Sequence, residues 1–190
     1  GGDNVAIGKD ALGAATTNNN NVAIGQSALA ATDGGAEQNV AIGTSALGGA
    51  DVSGHNNIGI GNAAGDAITS GACNIALGLN ALGASTTGCD NVAIGRLALG
   101  AGVTTGEDNV AIGATAGDAI TSGSFNVAIG FDSLSSATDN CDNIAIGRSA
   151  LAASVNDGDD NIAIGRAAMG GADVAGADNI AVGANAMDAL

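Results

Sequence analysis

The chain has 190 residues and a formal net charge of −15, with 4 Lys and Arg against 19 Asp and Glu. Too few basic residues are present to line a phosphate backbone, which excludes nucleic acid as a partner. Apolar residues make up 46% but aromatics only 1%, with 33 Gly and no Pro, Trp or Tyr; this excludes a globular core built on aromatic side chains.

Val, Ile and Leu recur at regular intervals, which argues against disorder despite the charge, and no apolar run approaches the roughly 18 residues of a membrane span. The chain opens on Gly1-Gly2 without Met or a signal-like segment, as expected of a processed chain or a segment of a longer one.

Internal repetition dominates the sequence. The first element, Val5-Ala6-Ile7, alternates as a strand does. Gly8 ends it at a position suited to positive φ. A second short segment around Ala11-Leu12 follows, and then a polar turn through Thr16, Thr17 and Asn18. With the Asn before each strand as offset zero, the unit returns at Asn4, Asn21, Asn39, Asn57, Asn74, Asn91, Asn109, Asn126, Asn143, Asn161 and Asn179, in steps of 17 or 18 residues.

Each column is nearly invariant within the chain. Offset +1 is Val or Ile, +3 is Ile except at Leu77 and Val182, +4 is always Gly, and +7 is Ala except at Ser133. Offset +8 is Leu or Met, except at Gly65 and Gly117, each followed three residues later by Ile68 or Ile120. That substitution reads as a lost core side chain refilled from a neighbouring position. The expected fold is all-β: one domain over 1–190, a parallel β-solenoid (β-roll) of about eleven coils. Two short strands and two turns are expected per coil, with about 4.8 Å between rungs. The Asn column is expected to form an amide ladder along the rod.

With Val and Ile assigned to the core, alternation turns offset +2 outward. That column is Ala6, Ala23, Ala41, Gly59, Ala76, Ala93, Ala111, Ala128, Ala145, Ala163 and Ala181. Such small side chains suit the close approach of another surface, or internal packing of a thick coil. A second pattern supports an interface. All four basic residues occupy offset +5, and each shares its coil with an Asp at −1: Asp3 with Lys9, Asp90 with Arg96, Asp142 with Arg148, and Asp160 with Arg166.

Cys73 is matched with Leu79 and Phe125 with Phe131, while Asn20, Gln38 and Asn56 are matched with the neutral Gln26, Thr44 and Asn62. Asp108 with Ala114 and Asp178 with Ala184 break the rule. Six residues of extended chain separate the two positions by nearly 20 Å. A two- or three-fold axis parallel to the rod would bring them together between chains; turns within a coil are the alternative.

The repeated N-V-A-I-G-x-x-A-L resembles the head repeats of trimeric autotransporter adhesins, and similar arrays occur in tail-fibre-like phage proteins. The resemblance covers essentially the whole chain, although the adhesin repeats are shorter. It implies a left-handed parallel β-roll assembled as a trimer at a cell or virion surface, where it binds a host-surface or matrix receptor. It also implies that Val5, Ile7 and their equivalents are core, and that Ala6 and its equivalents face the trimer.

Other candidate chemistry is sparse. His55 stands alone in a polar turn, and no phosphate-binding glycine loop is present. Cys73 and Cys89 fall in the same turn of successive coils and are candidates for a disulfide, whereas Cys141 lies three rungs further on. Asp142, Asp160 and Asp178 stack on consecutive rungs and are weak candidates for calcium, the one cofactor considered. The Thr16-Thr17, Thr86-Thr87 and Thr104-Thr105 pairs raise ice binding but occur in only some coils. The expectation is a non-enzymatic extracellular shaft or adhesin head that self-associates side by side or into end-to-end filaments, with no membrane insertion in this segment. A phage tail-fibre shaft is the alternative.

Overall fold

A computed structural model describes residues 2–14, 17–32, 35–49, 51–102, 104–154, 158–171 and 176–188. Gly1, Thr16 and Leu190 lie outside the described residues. The protein is an all-β parallel solenoid. Eleven three-residue strands, β1 (Val5–Ile7), β2 (Val22–Ile24), β3 (Val40–Ile42), β4 (Ile58–Ile60), β5 (Ile75–Leu77), β6 (Val92–Ile94), β7 (Val110–Ile112), β8 (Val127–Ile129), β9 (Ile144–Ile146), β10 (Ile162–Ile164) and β11 (Ile180–Val182), stack in sequence order in one sheet. Register is like on like, as in Val5 opposite Val22, Ala6 opposite Ala23 and Ile7 opposite Ile24. Each coil contributes one strand, not two: the second strand expected around Ala11-Leu12 is a turn in this and the other coils. It is still bonded from rung to rung, as where Leu82 N–H donates to Ala98 O at 3.0 Å, and so is the polar turn, where Asp90 N–H donates to Ala72 O at 3.0 Å.

Four positions per coil adopt positive φ, where composition suggested only glycine. Gly at +4 lies at φ 128–136°, from Gly183 to Gly61, Gly78, Gly95, Gly113 and Gly165. Its lack of a side chain is also steric: a Cβ built on Gly78 would sit 2.6 Å from Gly95 O on the next rung. The other three positions, −1, +6 and +8, are held near +48 to +62° by ordinary residues such as Asp90, Leu97 and Leu99. Asp and Asn visit this region at low cost, which suits their frequency at −1.

Leucine does not, yet Leu99 (φ 48°) is fully buried, so its burial offsets the strain. Gly65 and Gly117 take the same conformation without strain, at φ 64° and 58°. Ile68 and Ile120, each 1% exposed, fill the space, and a Cβ on Gly117 would meet Ile120 Cδ1 at 3.0 Å and Leu99 Cδ2 at 3.1 Å. The refilling expected from the sequence is present in both coils.

The sidedness of the strand is the reverse of the expectation. The +2 column points inward: Ala23, Ala41, Ala93, Ala111, Ala145 and Ala163 are fully buried, Ala76 and Ala128 are 1% exposed, Ala181 is 3% exposed, and Gly59 is buried. Ala6 is exposed on the first rung. The lumen is narrow, which is the physical reason. A Cβ added to Gly59 would lie 2.9 Å from both Leu47 Cγ and Ala64 O of the opposite wall. At β4 this leaves no room even for Ala, and in the other coils, where +2 is a buried Ala, it excludes Val and Ile. The core is therefore Ala at +2 and +7 with Leu or Met at +8. It divides into two clusters around β4, where Gly59 and Gly65 remove side chains from both walls.

Candidate functional site: the outward face of the sheet

Because Ala points in, Val and Ile at +1 and +3 point out. Along β2–β10 these side chains are half-buried or exposed, shielded mainly by identical neighbours on adjacent rungs. Ile60 and Ile164 are each 38% exposed. The outcome is a continuous double column of side chains along the rod, β-branched except at Leu77, a contiguous apolar face of the kind that marks an interaction surface. The +2 column, proposed from the sequence as the oligomer interface, is instead internal packing, and β1 alone exposes its Ala.

Offsets −1 and +5 bound this face on its two sides. Asp90, Arg96, Phe125, Phe131, Asp142, Arg148, Asp160 and Arg166 are all exposed. Phe125 and Phe131 stand 57% and 48% open, both on the coil of β8. Backbone bonds hold both columns in register: the N–H of Asp90 meets Ala72 O, and the N–H of Leu97 meets Leu79 O, each at 3.0 Å. Among the described residues the one ion pair is Lys9–Asp10 at 3.9 Å. The matched Asp and Arg of each coil therefore do not meet within the chain.

Behind the face runs the Asn ladder. Each Asn backbone N–H donates to Oδ1 of the preceding Asn, from Asn21 to Asn4 (2.9 Å) through Asn91 to Asn74 (3.0 Å) to Asn179 to Asn161 (3.0 Å). The side-chain amides donate sideways into the turn, as from Asn74 Nδ2 to Gly88 O at 2.8 Å. These amides are consumed by structure, as the sequence implied.

A second ladder, at offset −2, was not legible from the sequence because its residue types differ. A side-chain acceptor on one rung takes the backbone N–H of the rung before: Asn19 Oδ1 from Gly2 (2.7 Å), His55 Nδ1 from Glu37 (3.2 Å), Ser124 Oγ from Glu107 (3.0 Å), and Asp159 Oδ1 from Cys141 (2.7 Å). Cys89 Sγ accepts from Ala72 and Cys141 Sγ from Ser124, both at 3.4 Å. The shared property is a short acceptor, and that was the only available signal.

This ladder corrects the disulfide expectation. Cys73, Cys89 and Cys141 are free thiols. Cys89 is turned along the −2 column by its Ala72 contact, whereas Cys73 occupies the exposed −1 column.

Asp142, Asp160 and Asp178 stand exposed in one column, and among the described residues no three His, Cys, Asp or Glu side chains converge as a metal site. Thr115 Oγ1 donates to Asp132 on the next rung. Burial raises the carboxyls of Asp66 and Asp118 above the ordinary value of 3.8, the latter assisted by the charge of Asp132. Both follow a core glycine, Gly65 or Gly117. Among the described residues there is no pocket and no helix long and apolar enough to cross a membrane. Comparison with protein-family models, curated proteins and solved structures finds no match.

Proposed function

We propose that the chain is a structural fibre element: a non-enzymatic, rigid shaft whose repeated coils set length and present side chains at fixed intervals outside the cell. The observation that carries this reading is the unbroken hydrogen-bonded stack, in which strand, turns and Asn side chains all bond along one axis. A solenoid of this type gains stability from neighbouring coils and extends without changing its cross-section. The resemblance of N-V-A-I-G-x-x-A-L to adhesin heads and to phage tail fibres supports the shaft role that those two settings share. Self-association and contact with a cell-surface or matrix receptor belong to the same reading, with the outward face as the available surface.

The test is electron microscopy of the purified chain together with its small-angle scattering profile. Straight rods about 50 Å long per chain are expected from ten steps of about 4.8 Å. A compact, near-spherical particle would overturn the proposal.

A further inference from the structure

We propose that the outward Val/Ile face docks a second copy of this chain, the two rods running parallel and in register about a two-fold axis along their length. Offset −1 of each coil then meets offset +5 of the same coil in the partner. This deepens the fibre reading and rests on it.

The symmetry of the strand carries the argument. Offsets +1 and +3 lie equally far on either side of +2, and so do −1 and +5. A two-fold axis parallel to the rod and facing the +2 column exchanges the members of both pairs. It lays each Val or Ile at +1 against the +3 residue of the same coil in the partner, Ile in every coil but those of Leu77 and Val182. The same operation brings Asp90 to Arg96, Asp142 to Arg148, Asp160 to Arg166 and Phe125 to Phe131, each pair formed twice.

These positions are matched in character in nine of the eleven coils, Asp108 with Ala114 and Asp178 with Ala184 being the exceptions, and within one chain the Asp and Arg do not pair. The match is thus unexplained by the monomer and accounted for by the dimer. Complementary charge at the rim fixes register, while the apolar centre supplies affinity.

The alternatives fit less well. An antiparallel pair would set −1 against −1 and place Asp3 beside Asp178, like charge on like. A three-fold axis would incline the faces to one another and leave part of each column uncovered. The dimensions also suffice: about 50 Å of rod by about 15 Å of strand width buries about 700 Å² per partner, close to the ~800 Å² of a standard interface.

Sedimentation equilibrium tests the proposal with two variants, Arg96→Asp/Arg148→Asp/Arg166→Asp and Asp90→Arg/Asp142→Arg/Asp160→Arg. The unaltered chain should be a dimer. Each variant alone should dissociate with a Kd raised tenfold or more, and an equimolar mixture should recover a 1:1 dimer. Both variants stay net acidic, since each shifts six charges against −15, so general attraction cannot produce that recovery. A monomeric or trimeric unaltered chain, or a mixture that fails to recover, overturns the proposal.

A second measurement covers the case of misfolded variants. Leu79→Cys in a Cys89→Ser/Cys141→Ser background should be bridged to Cys73 of the other chain by a short bismaleimide. Phe131→Cys in that background, three rungs away, should not be bridged to Cys73. Absence of the first bridge, or presence of the second, overturns the in-register arrangement. A monomer that is still an elongated rod would defeat the docking and leave the shaft standing, whereas a compact particle would defeat both.

Discussion

Asn74 is bonded twice to Asn57: its backbone N–H and its side-chain amide both donate to the same Oδ1, at 3.0 and 3.1 Å. In turn Asn74 Nδ2 donates to Gly88 O at 2.8 Å, and Asn74 Oδ1 accepts from Asn91 N–H at 3.0 Å. One buried side chain therefore joins two rungs and a turn. Asn74→Ala leaves Gly88 O and Asn91 N–H buried without those partners and should destabilise the protein by about 3 kcal/mol. Chemical denaturation followed by circular dichroism measures it. A loss below about 0.5 kcal/mol would mean that the ladder is not a source of stability.

Gly78 and Gly183 share a column but not an environment. A Cβ at Gly78 would collide with Gly95 O, whereas at Gly183 the nearest atom is Ala186 Cβ at 4.0 Å. Both have strongly positive φ, 136° and 128°. Gly183→Ala should cost only the backbone strain, about 1–2 kcal/mol. Gly78→Ala adds a backbone clash that rungs cannot relieve without separating, so its loss should be larger by at least about 2 kcal/mol. Equal midpoints in thermal melts would refute the close stacking.

Gly117 and Ile120 share one volume. Gly117→Leu overfills it and should cost about 1–3 kcal/mol. Adding Ile120→Ala, the residue found at the equivalent Ala137, should recover most of that loss, because Leu then occupies the position it holds at Leu99 and Leu134. A double-mutant cycle measures the coupling. Strict additivity would show that the two side chains do not compete.

Asp118 carries a predictable pH signature. Its folded carboxyl titrates above 3.8 because burial, and then Asp132, disfavour the charge. The folded state holds this proton more tightly than the unfolded one, so the contribution is complete below about 3.8 and is lost as pH rises through the elevated folded value. Asp118→Asn should therefore gain stability over the unaltered chain as pH rises from about 4 to 7. Urea midpoints at several pH values give the readout; a difference that shrinks with rising pH would reverse the assigned sign.

Much of the structure follows from the sequence alone. The period, the place of the Val-Ala-Ile strand, the parallel like-on-like register and the Asn ladder are all column properties, whereas the second strand expected around Ala11-Leu12 is a turn. Stacking places each residue beside its own equivalents, so local identity carries tertiary information. The exchange of Leu for Gly plus Ile at 65–68 and 117–120 was legible for the same reason.

What the tertiary structure alone decided is which side of Val-Ala-Ile faces in. Alternation sets neighbouring side chains on opposite faces but leaves the choice of face to the closure of the coil. Here closure depends on left-handed Asp90, Leu97 and Leu99 as well as Gly95, and nothing in a leucine advertises positive φ. The resulting lumen has room for Ala93 and Leu99 but not for a larger strand residue, so the small column became the core and the β-branched columns became the surface.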